Sequence, residues 1–223
     1  MTKKLFLQAL SRFACGVVLV GLLLFLPAGT FRYPHAWWLM GVLFVPLFLV
    51  GIVLSLKNPE LLQKRLQSKE KQTKQQTVIK LSALMFLLGF LAAGLDFRFG
   101  WFVLPDWVSP VFALVLLLSY LLYAEVLREN TYLSRTIEVQ QGQKVIDTGL
   151  YGIVRHPMYS ATILLFLSMP LVLGSVISLV FFLPYPVLIA KRIRNEEKVL
   201  EEGLDGYIAY KNRVKYKLIP FIW

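Results

Sequence analysis

The sequence predicts an all-α membrane protein that crosses the bilayer several times. Of its 223 residues, 57% are hydrophobic and only 17% are charged, whereas a soluble domain has about a quarter of its residues charged. The apolar residues fall into five uncharged blocks of 15 to 33 residues, and a membrane-spanning helix needs about 20. The blocks are 13–31, 36–56, 81–95, 107–124 and 158–190.

The net charge of +11 would by itself fit either nucleic acid or an anionic membrane surface as the partner. The long apolar blocks exclude a soluble nucleic-acid-binding protein and make membrane lipids the expected partners. The single cysteine, Cys15, lies inside the first block, so an intrachain disulfide cannot form and a disulfide scaffold is excluded. No obligate protein partner and no metal site are predicted.

The first block is predicted to be a retained membrane helix rather than a cleaved signal peptide. Lys3 and Lys4 precede it, as basic residues precede a signal. However, the apolar region of a signal has only about 7–15 residues and ends at a small-residue cleavage site. The block here has 19 residues and ends at Pro27-Ala28-Gly29 without such a site.

The last block, with 33 residues, is too long for one span and is interrupted at Pro170 and Gly174. It is predicted to form a helical hairpin, with Pro184 and Pro186 kinking its second arm. About six membrane segments result. They are predicted at about 5–27, 36–56, 78–96, 107–127, 158–173 and 175–190.

The basic residues predict the orientation. With these segments, 22 of the 24 Lys and Arg residues fall on one side, and only Arg32 and Arg98 fall on the other. Because basic loops stay in the cytoplasm, both termini are expected there. The chain then divides into membrane helices with a basic cytoplasmic connection at 57–77 (residues 1–127) and a loop, hairpin and cytoplasmic tail (residues 128–223).

Few ionisable residues fall within the membrane segments, and a transporter is disfavoured because it would carry such residues at mid-membrane. Arg12, Asp96 and Glu125 all lie near block ends, from which their side chains are expected to reach the interface.

The basic connection begins with a helix-start pattern, in which Asn58 is the cap and Pro59 the first helical residue. Leu61, Leu62 and Leu66 then fall on one face. The pattern fits a helix resting on anionic headgroups, or a solvated loop that only carries the positive charge required in the cytoplasm.

The polar segments 128–157 and 191–223 are expected to share the cytoplasmic face and to hold any functional site. Arg155 and His156 precede Pro157, where a helix is predicted to begin, and they fit either an anion site or headgroup anchors. Arg192 and Glu196 share a helix face, either to grip a carboxylate or phosphate or as a surface salt bridge. The tail tyrosines at 207–216 alternate with basic residues, as interface anchors do.

Five motifs in these segments together resemble the isoprenylcysteine carboxyl methyltransferase family. This family is part of a broader group of integral-membrane methyltransferases that includes phospholipid N-methyltransferases. The motifs are Gly149-x-Tyr151, Arg155-His156-Pro157-x-Tyr159, Arg192-x-x-x-Glu196-Glu197, Tyr207-x-x-Tyr210-x-x-x-Val214 and Ile219-Pro220.

The resemblance implies S-adenosylmethionine as the methyl donor, bound at the cytoplasmic face between loop and tail, with a tunnel to the lipid for the acceptor. The implied catalytic residues, near the acceptor and the sulfonium, are Arg192, Glu196 and Glu197. The implied cofactor-binding residues are Gln143, Lys144, Val145 and Ile146 at the adenine, and Tyr151, Arg155, His156 and Tyr159 toward the ribose and amino-acid end.

The chain departs from the family pattern at two positions. Gln143 stands where eukaryotic members have His, and Ala161 stands where Gly is common. A Rossmann-type G-x-G-x-x-G pattern is absent from the sequence.

The acceptor is predicted to be a carboxylate on a lipophilic, isoprenylcysteine-like molecule that enters from the bilayer through an opening near the hairpin. Arg192 favours this choice, because a carboxylate is ionised at pH 7 and needs a cation rather than a base. Two alternatives remain open: methylation of a phospholipid or another amine, with Glu196 or Glu197 as the base, and an inactive membrane-binding protein of the same fold.

Overall fold

The structure is a computed structural model that describes residues 3–66, 73–134 and 136–223. The described residues form nine α-helices and one short 3₁₀ helix, Gly149–Gly152, so the all-α prediction is confirmed. The α-helices are α1 (Lys3–Ala28), α2 (Pro34–Lys57), α3 (Pro59–Leu66), α4 (Thr73–Phe99), α5 (Val108–Glu129), α6 (Pro157–Val172), α7 (Val176–Phe182), α8 (Tyr185–Gly203) and α9 (Tyr207–Arg213).

Five helical stretches of the described chain are long and apolar enough to cross a membrane: α1, α2, α4, α5, and α7 together with α8. The apolar α6 is shorter, with 16 residues. The prediction of an integral, multi-pass membrane protein is therefore confirmed. The placement of both termini in the cytoplasm stays a prediction.

The C-terminal hairpin turns at Gly174, whose φ of +72° is favourable for glycine. α6 runs through Pro170 to Val172, close to the predicted first arm at about 158–173, and the break lies at Gly174 rather than at Pro170. The second arm breaks after Phe182, where α7 ends, and Pro184 immediately precedes the first residue of α8. Proline has no N–H to continue a helix, which explains why two helices replace the single arm.

Asp96, at the end of α4, is fully buried. Its carboxylate accepts hydrogen bonds from the backbone N–H of Phe102 (2.8 Å) and from the hydroxyl of Ser175. The loop after α4 folds back over it, and the N–H of Leu104 donates to the carbonyl of Gly174 at 2.8 Å. The expectation that Asp96 reaches the interface is therefore wrong.

The short helix α3 forms where the sequence predicts it. The Asn58 side chain accepts a hydrogen bond from the N–H of Leu61 (3.1 Å) and caps the helix. However, Leu61 and Leu62 are buried inside the protein, so they do not rest on lipid headgroups. The rest of this connection, 67–72, lies outside the described residues.

Two glycines on α4 allow close helix packing. A Cβ at Gly94 would lie 2.6 Å from the carbonyl oxygen of Leu24 and 2.9 Å from Cβ of Pro27, both on α1. A Cβ at Gly89 would lie 2.4 Å from the ring of Phe182 on α7. Small residues permit this close approach between membrane helices, and α4 is thereby held against both α1 and α7.

Gly94→Ala is expected to lower the thermal unfolding midpoint in detergent, because overpacking costs about 1–3 kcal/mol. Gly41→Ala on α2 is the matched control, since a Cβ there has open space. It should leave the midpoint unchanged or slightly raise it, because alanine favours a helix over glycine. Equal midpoints for both variants would contradict the close contact between α1 and α4.

Candidate active site

A cavity lies between the 130–156 loop, the start of α6, the end of α8, and α9. It contains about 810 Å³ of empty space, a figure that includes space open to solvent. The loop contributes residues 130, 132–134, 136–138, 143–146, 151, 155 and 156 to its wall. The helices and the turn before α9 contribute Met158, Tyr159, Glu196, Leu200, Leu204, Tyr207 and Tyr210.

The structure brings most of the predicted site residues together around this one cavity. Glu196 is the one predicted catalytic residue that lines it directly, whereas Arg192 and Glu197 lie behind its wall and contact residues that form it. All the predicted cofactor-binding residues lie in the wall: Gln143, Lys144, Val145, Ile146, Tyr151, Arg155, His156 and Tyr159.

The Gly149-x-Tyr151 motif turns the loop against the end of α5. Gly149 has a φ of +51°, and a Cβ there would overlap the carboxylate of Glu129. This carboxylate accepts a hydrogen bond from the N–H of Leu150 (3.1 Å), at the start of the 3₁₀ helix. Asn130 donates to the hydroxyl of Tyr151 (3.1 Å). Burial raises the pKa of Tyr151 well above its usual value, so its hydroxyl stays protonated.

Arg155 and His156 are buried by the C-terminal tail. Their backbone N–H groups donate to the carbonyls of Tyr216 and Lys217, both at 2.9 Å. The guanidinium of Arg155 donates to the carbonyls at 214–215, at 2.6 and 2.8 Å. Because both side chains lie inside the protein, the interpretation as headgroup anchors is wrong.

The carboxylate of Glu197 contacts three basic side chains from two other segments. One oxygen accepts from Nε of Arg155 (2.8 Å) and lies 3.3 Å from Nε2 of His156. The other oxygen lies 2.8 Å from Nζ of Lys217. The Glu197 side chain is only 5% exposed, and a buried charge needs such partners. This ion cluster joins the loop, α8 and the tail.

Tyr159 connects Arg192 to Glu196 at the edge of the cavity. Its hydroxyl donates to the carboxylate of Glu196 (2.6 Å) and accepts from Nε of Arg192 (2.8 Å). The guanidinium also donates to the side-chain carbonyl of Gln75 on α4 (3.1 Å), and Gln75 is 1% exposed. Arg192 is therefore held by side chains from α4 and α6, and the interpretation as a simple surface salt bridge is wrong.

Two tail tyrosines line the cavity, although the sequence predicted interface anchors. Tyr207 and Tyr210 are buried in a small core with Leu204, Val214 and the loop residue Val145. α9 packs on the loop through this tyrosine face, so the anchor prediction is wrong for both. The sequence did carry one signal for their burial: the two tyrosines are three residues apart, which puts them on one helix face.

A separate apolar groove lies between α1, α2 and α3, with about 910 Å³ of empty space, a figure that includes space open to the surroundings. Arg12 and Arg65 are the charged residues in its wall. The guanidinium of Arg65 also donates to the carbonyl of Ser134 (3.3 Å) and lies 3.7 Å from the sulfur of Met158. Because Ser134 and Met158 line the first cavity, Arg65 stands between the groove and the cavity.

Comparisons with known proteins found one matching protein family and a solved structure with a similar fold. The family model described as the isoprenylcysteine carboxyl methyltransferase (ICMT) family matches residues 111–202. A solved structure of the eukaryotic intramembrane Ras methyltransferase ICMT has a similar fold. It aligns with a TM-score of 0.59 and 18% identity, over 96% of this chain and 77% of that one.

A curated relative, Delta(14)-sterol reductase TM7SF2 of Mus musculus, is 29% identical over 91 residues. The match covers 40% of this chain but only 22% of that relative's length.

Taken together, the helices and the cavity define a multi-pass membrane protein with a candidate small-molecule site built by its C-terminal half. The family match over 111–202 and the shared fold confirm the predicted resemblance to the isoprenylcysteine carboxyl methyltransferase family. The matched residues end before the tail motifs at 207–220.

Glu197→Gln is expected to destabilise the protein by about 3–5 kcal/mol, because three basic groups would lose their buried carboxylate. Thermal unfolding in detergent measures the effect. Glu201→Gln is the matched control on the same helix, since both side chains of its pair with Lys211 are about one-third exposed and a solvent-accessible pair is worth about 0–1 kcal/mol. Similar losses for both variants would contradict the role of the ion cluster.

Proposed function

We propose that this chain transfers a methyl group from S-adenosylmethionine to the carboxylate of a lipophilic, isoprenylcysteine-like acceptor. The reaction takes place at the cytoplasmic face of the membrane. One observation carries the proposal: a single cavity brings together residues 143–146, Tyr151 and His156 of the loop with Tyr159 of α6 and Glu196 of α8. The family match over 111–202 supports the same activity.

The cavity wall has the chemistry that this cofactor requires. Val145, Ile146 and Leu200 offer an apolar surface to a flat base, and Gln143 adds a polar group beside them. Glu196 adds a carboxylate that complements positive charge. When bound, S-adenosylmethionine supplies a methyl group already activated on a sulfonium. The residues of the chain therefore need only to align the reactants and exclude water.

Arg192 is proposed to bind the acceptor carboxylate. Its planar guanidinium suits two-point binding of a carboxylate, and Gln75 and Tyr159 orient it from two sides. The acceptor carboxylate is ionised at pH 7, so this assignment requires no general base.

The two glutamates take different roles in this proposal. Glu196 lines the cavity and accepts from Tyr159, so it is proposed to face the sulfonium. Glu197 is bound to Arg155, His156 and Lys217. We therefore revise its predicted catalytic role and propose it as a positioning residue that keeps Arg155 and His156 in the cavity wall.

The apolar groove between α1, α2 and α3 is the proposed route for the acceptor tail. It lies away from the hairpin, where the opening was expected, and its wall is mainly apolar. Apolar chains gain about 0.8 kcal/mol for each buried CH₂. Arg65 connects this groove to two residues of the cofactor cavity, so a tail in the groove would bring an acidic head toward the cavity.

Amine methylation is the second candidate, because Glu196 lines the cavity and would be the base that removes the ammonium proton. An inactive membrane-binding protein is the non-enzymatic alternative. The chain is also partly similar to a sterol reductase, and reductases commonly use a reduced nicotinamide dinucleotide. Binding of such a dinucleotide is therefore compared with binding of S-adenosylhomocysteine.

The cofactor is tested by calorimetry on the purified chain in detergent. S-adenosylhomocysteine is expected to bind, whereas the reduced nicotinamide dinucleotide NADPH, which carries phosphates in place of an amino-acid end, is expected not to bind. Binding of NADPH alone, or of neither compound to folded protein, would overturn both methyltransferase candidates.

The same preparation tests the acceptor, with tritiated S-adenosylmethionine and membrane lipid extracts. A methyl ester releases volatile methanol in mild base, whereas an N-methyl product retains its label. Base-labile label is the expected result, and base-stable label would favour the amine alternative.

Arg192→Ala is expected to lower methyl transfer by about 10²–10³-fold, the usual loss when one preorganised donor is removed. The affinity for S-adenosylhomocysteine should stay nearly unchanged. Arg194→Ala is the matched control, because Arg194 lies on the exposed side of the same helix, and it should retain activity. If Arg192→Ala reduced cofactor affinity as much as turnover, Arg192 would belong to the cofactor site.

A further inference from the structure

The hydroxyl of Tyr207 is buried and has no hydrogen-bond partner among the residues that the structure describes. The side chain is 3% exposed and lies in the wall of the cavity. Buried hydroxyls are nearly always paired, because an unpaired one loses its hydrogen bonds to water without replacement. A partner supplied by a bound molecule would account for this hydroxyl.

Tyr210, one turn further along α9, makes the contrast clear. It is buried to a similar degree, and its ring centroid lies 5.8 Å from that of Tyr207. However, its hydroxyl donates to the carbonyl of Tyr151 at 2.8 Å. The same helix therefore carries one tyrosine that ties it to the loop and another whose hydroxyl is unpaired beside the cavity.

Charged residues of the cavity act on the Tyr207 hydroxyl electrostatically. Burial raises the pKa of Tyr207, the nearby carboxylates of Glu197 and Glu196 raise it further, and Arg155 opposes them. Glu196 and Arg155 both line the cavity, as Tyr207 does. The hydroxyl stays protonated and is able both to donate and to accept a hydrogen bond.

We infer that Tyr207 binds the amino-acid end of the cofactor, with its hydroxyl paired to the carboxylate or the ammonium group of that end. The inference rests on the proposed function, because it takes S-adenosylmethionine as the cofactor. The amino-acid end carries both positive and negative charge, which suits the part of the wall formed by Glu196 and Arg155. The uncharged base suits the apolar surface at 145–146.

The test compares two ligands on Tyr207→Phe. S-adenosylhomocysteine has the amino-acid end, whereas 5′-methylthioadenosine keeps the base, ribose and sulfur but lacks that end. The variant is expected to bind S-adenosylhomocysteine about 3- to 10-fold more weakly, the usual effect of one lost hydrogen bond, and to bind 5′-methylthioadenosine as the wild type does. Its unfolding midpoint without ligand should be unchanged or higher, because an unpaired buried hydroxyl is removed.

Tyr210→Phe is the matched control. It removes the hydrogen bond to Tyr151, so it should lower the unfolding midpoint and keep the wild-type ratio of the two affinities.

Unchanged affinity of Tyr207→Phe for S-adenosylhomocysteine would overturn the inference and leave the proposed function standing. Equal weakening of both ligands would also overturn it, since the hydroxyl would then act elsewhere on the nucleoside. If the wild type bound neither ligand, the proposed function and the inference would both fail.

Discussion

The candidate site depends on one buried carboxylate. Glu197 on α8 contacts Arg155 and His156 from the end of the loop and Lys217 from the tail. A charge without partners cannot remain inside a protein at acceptable cost, so these segments are stable only when they are together. The backbone hydrogen bonds from 155–156 to 216–217 add to the same junction. The cavity wall exists because this junction closes it.

The membrane helices supply a rigid support for that junction. α4 packs against α1 and α7 at glycines, and the loop after α4 is fastened to the hairpin turn by Asp96. At the other end of α4, Gln75 contacts Arg192. One helix therefore fixes the hairpin at one end and orients a proposed catalytic residue at the other.

The sequence was sufficient for the helices and for much of the cavity. Uncharged blocks predict membrane helices directly, and the family resemblance carried by the motifs around Gly149, Tyr151 and Tyr159 led to residues that share one cavity. The sequence alone was insufficient wherever the burial of a side chain depends on which distant segment covers it. Asp96, the α3 residues Leu61 and Leu62, and the tail residues Tyr207 and Tyr210 have patterns typical of an interface, yet the structure buries them. The role of Glu197 was hidden for the same reason, because its partner Lys217 lies 20 residues further along.

The contact between Gln75 and Arg192 has a consequence for protein engineering. The family model matches 111–202, but Gln75 lies before this stretch and Lys217 lies after it. A chimaera that transplanted only the matched stretch onto foreign helices would lose the amide that orients the guanidinium and one cation of the junction. A unit exchanged between relatives therefore needs at least α4 and the whole tail in addition to the matched stretch.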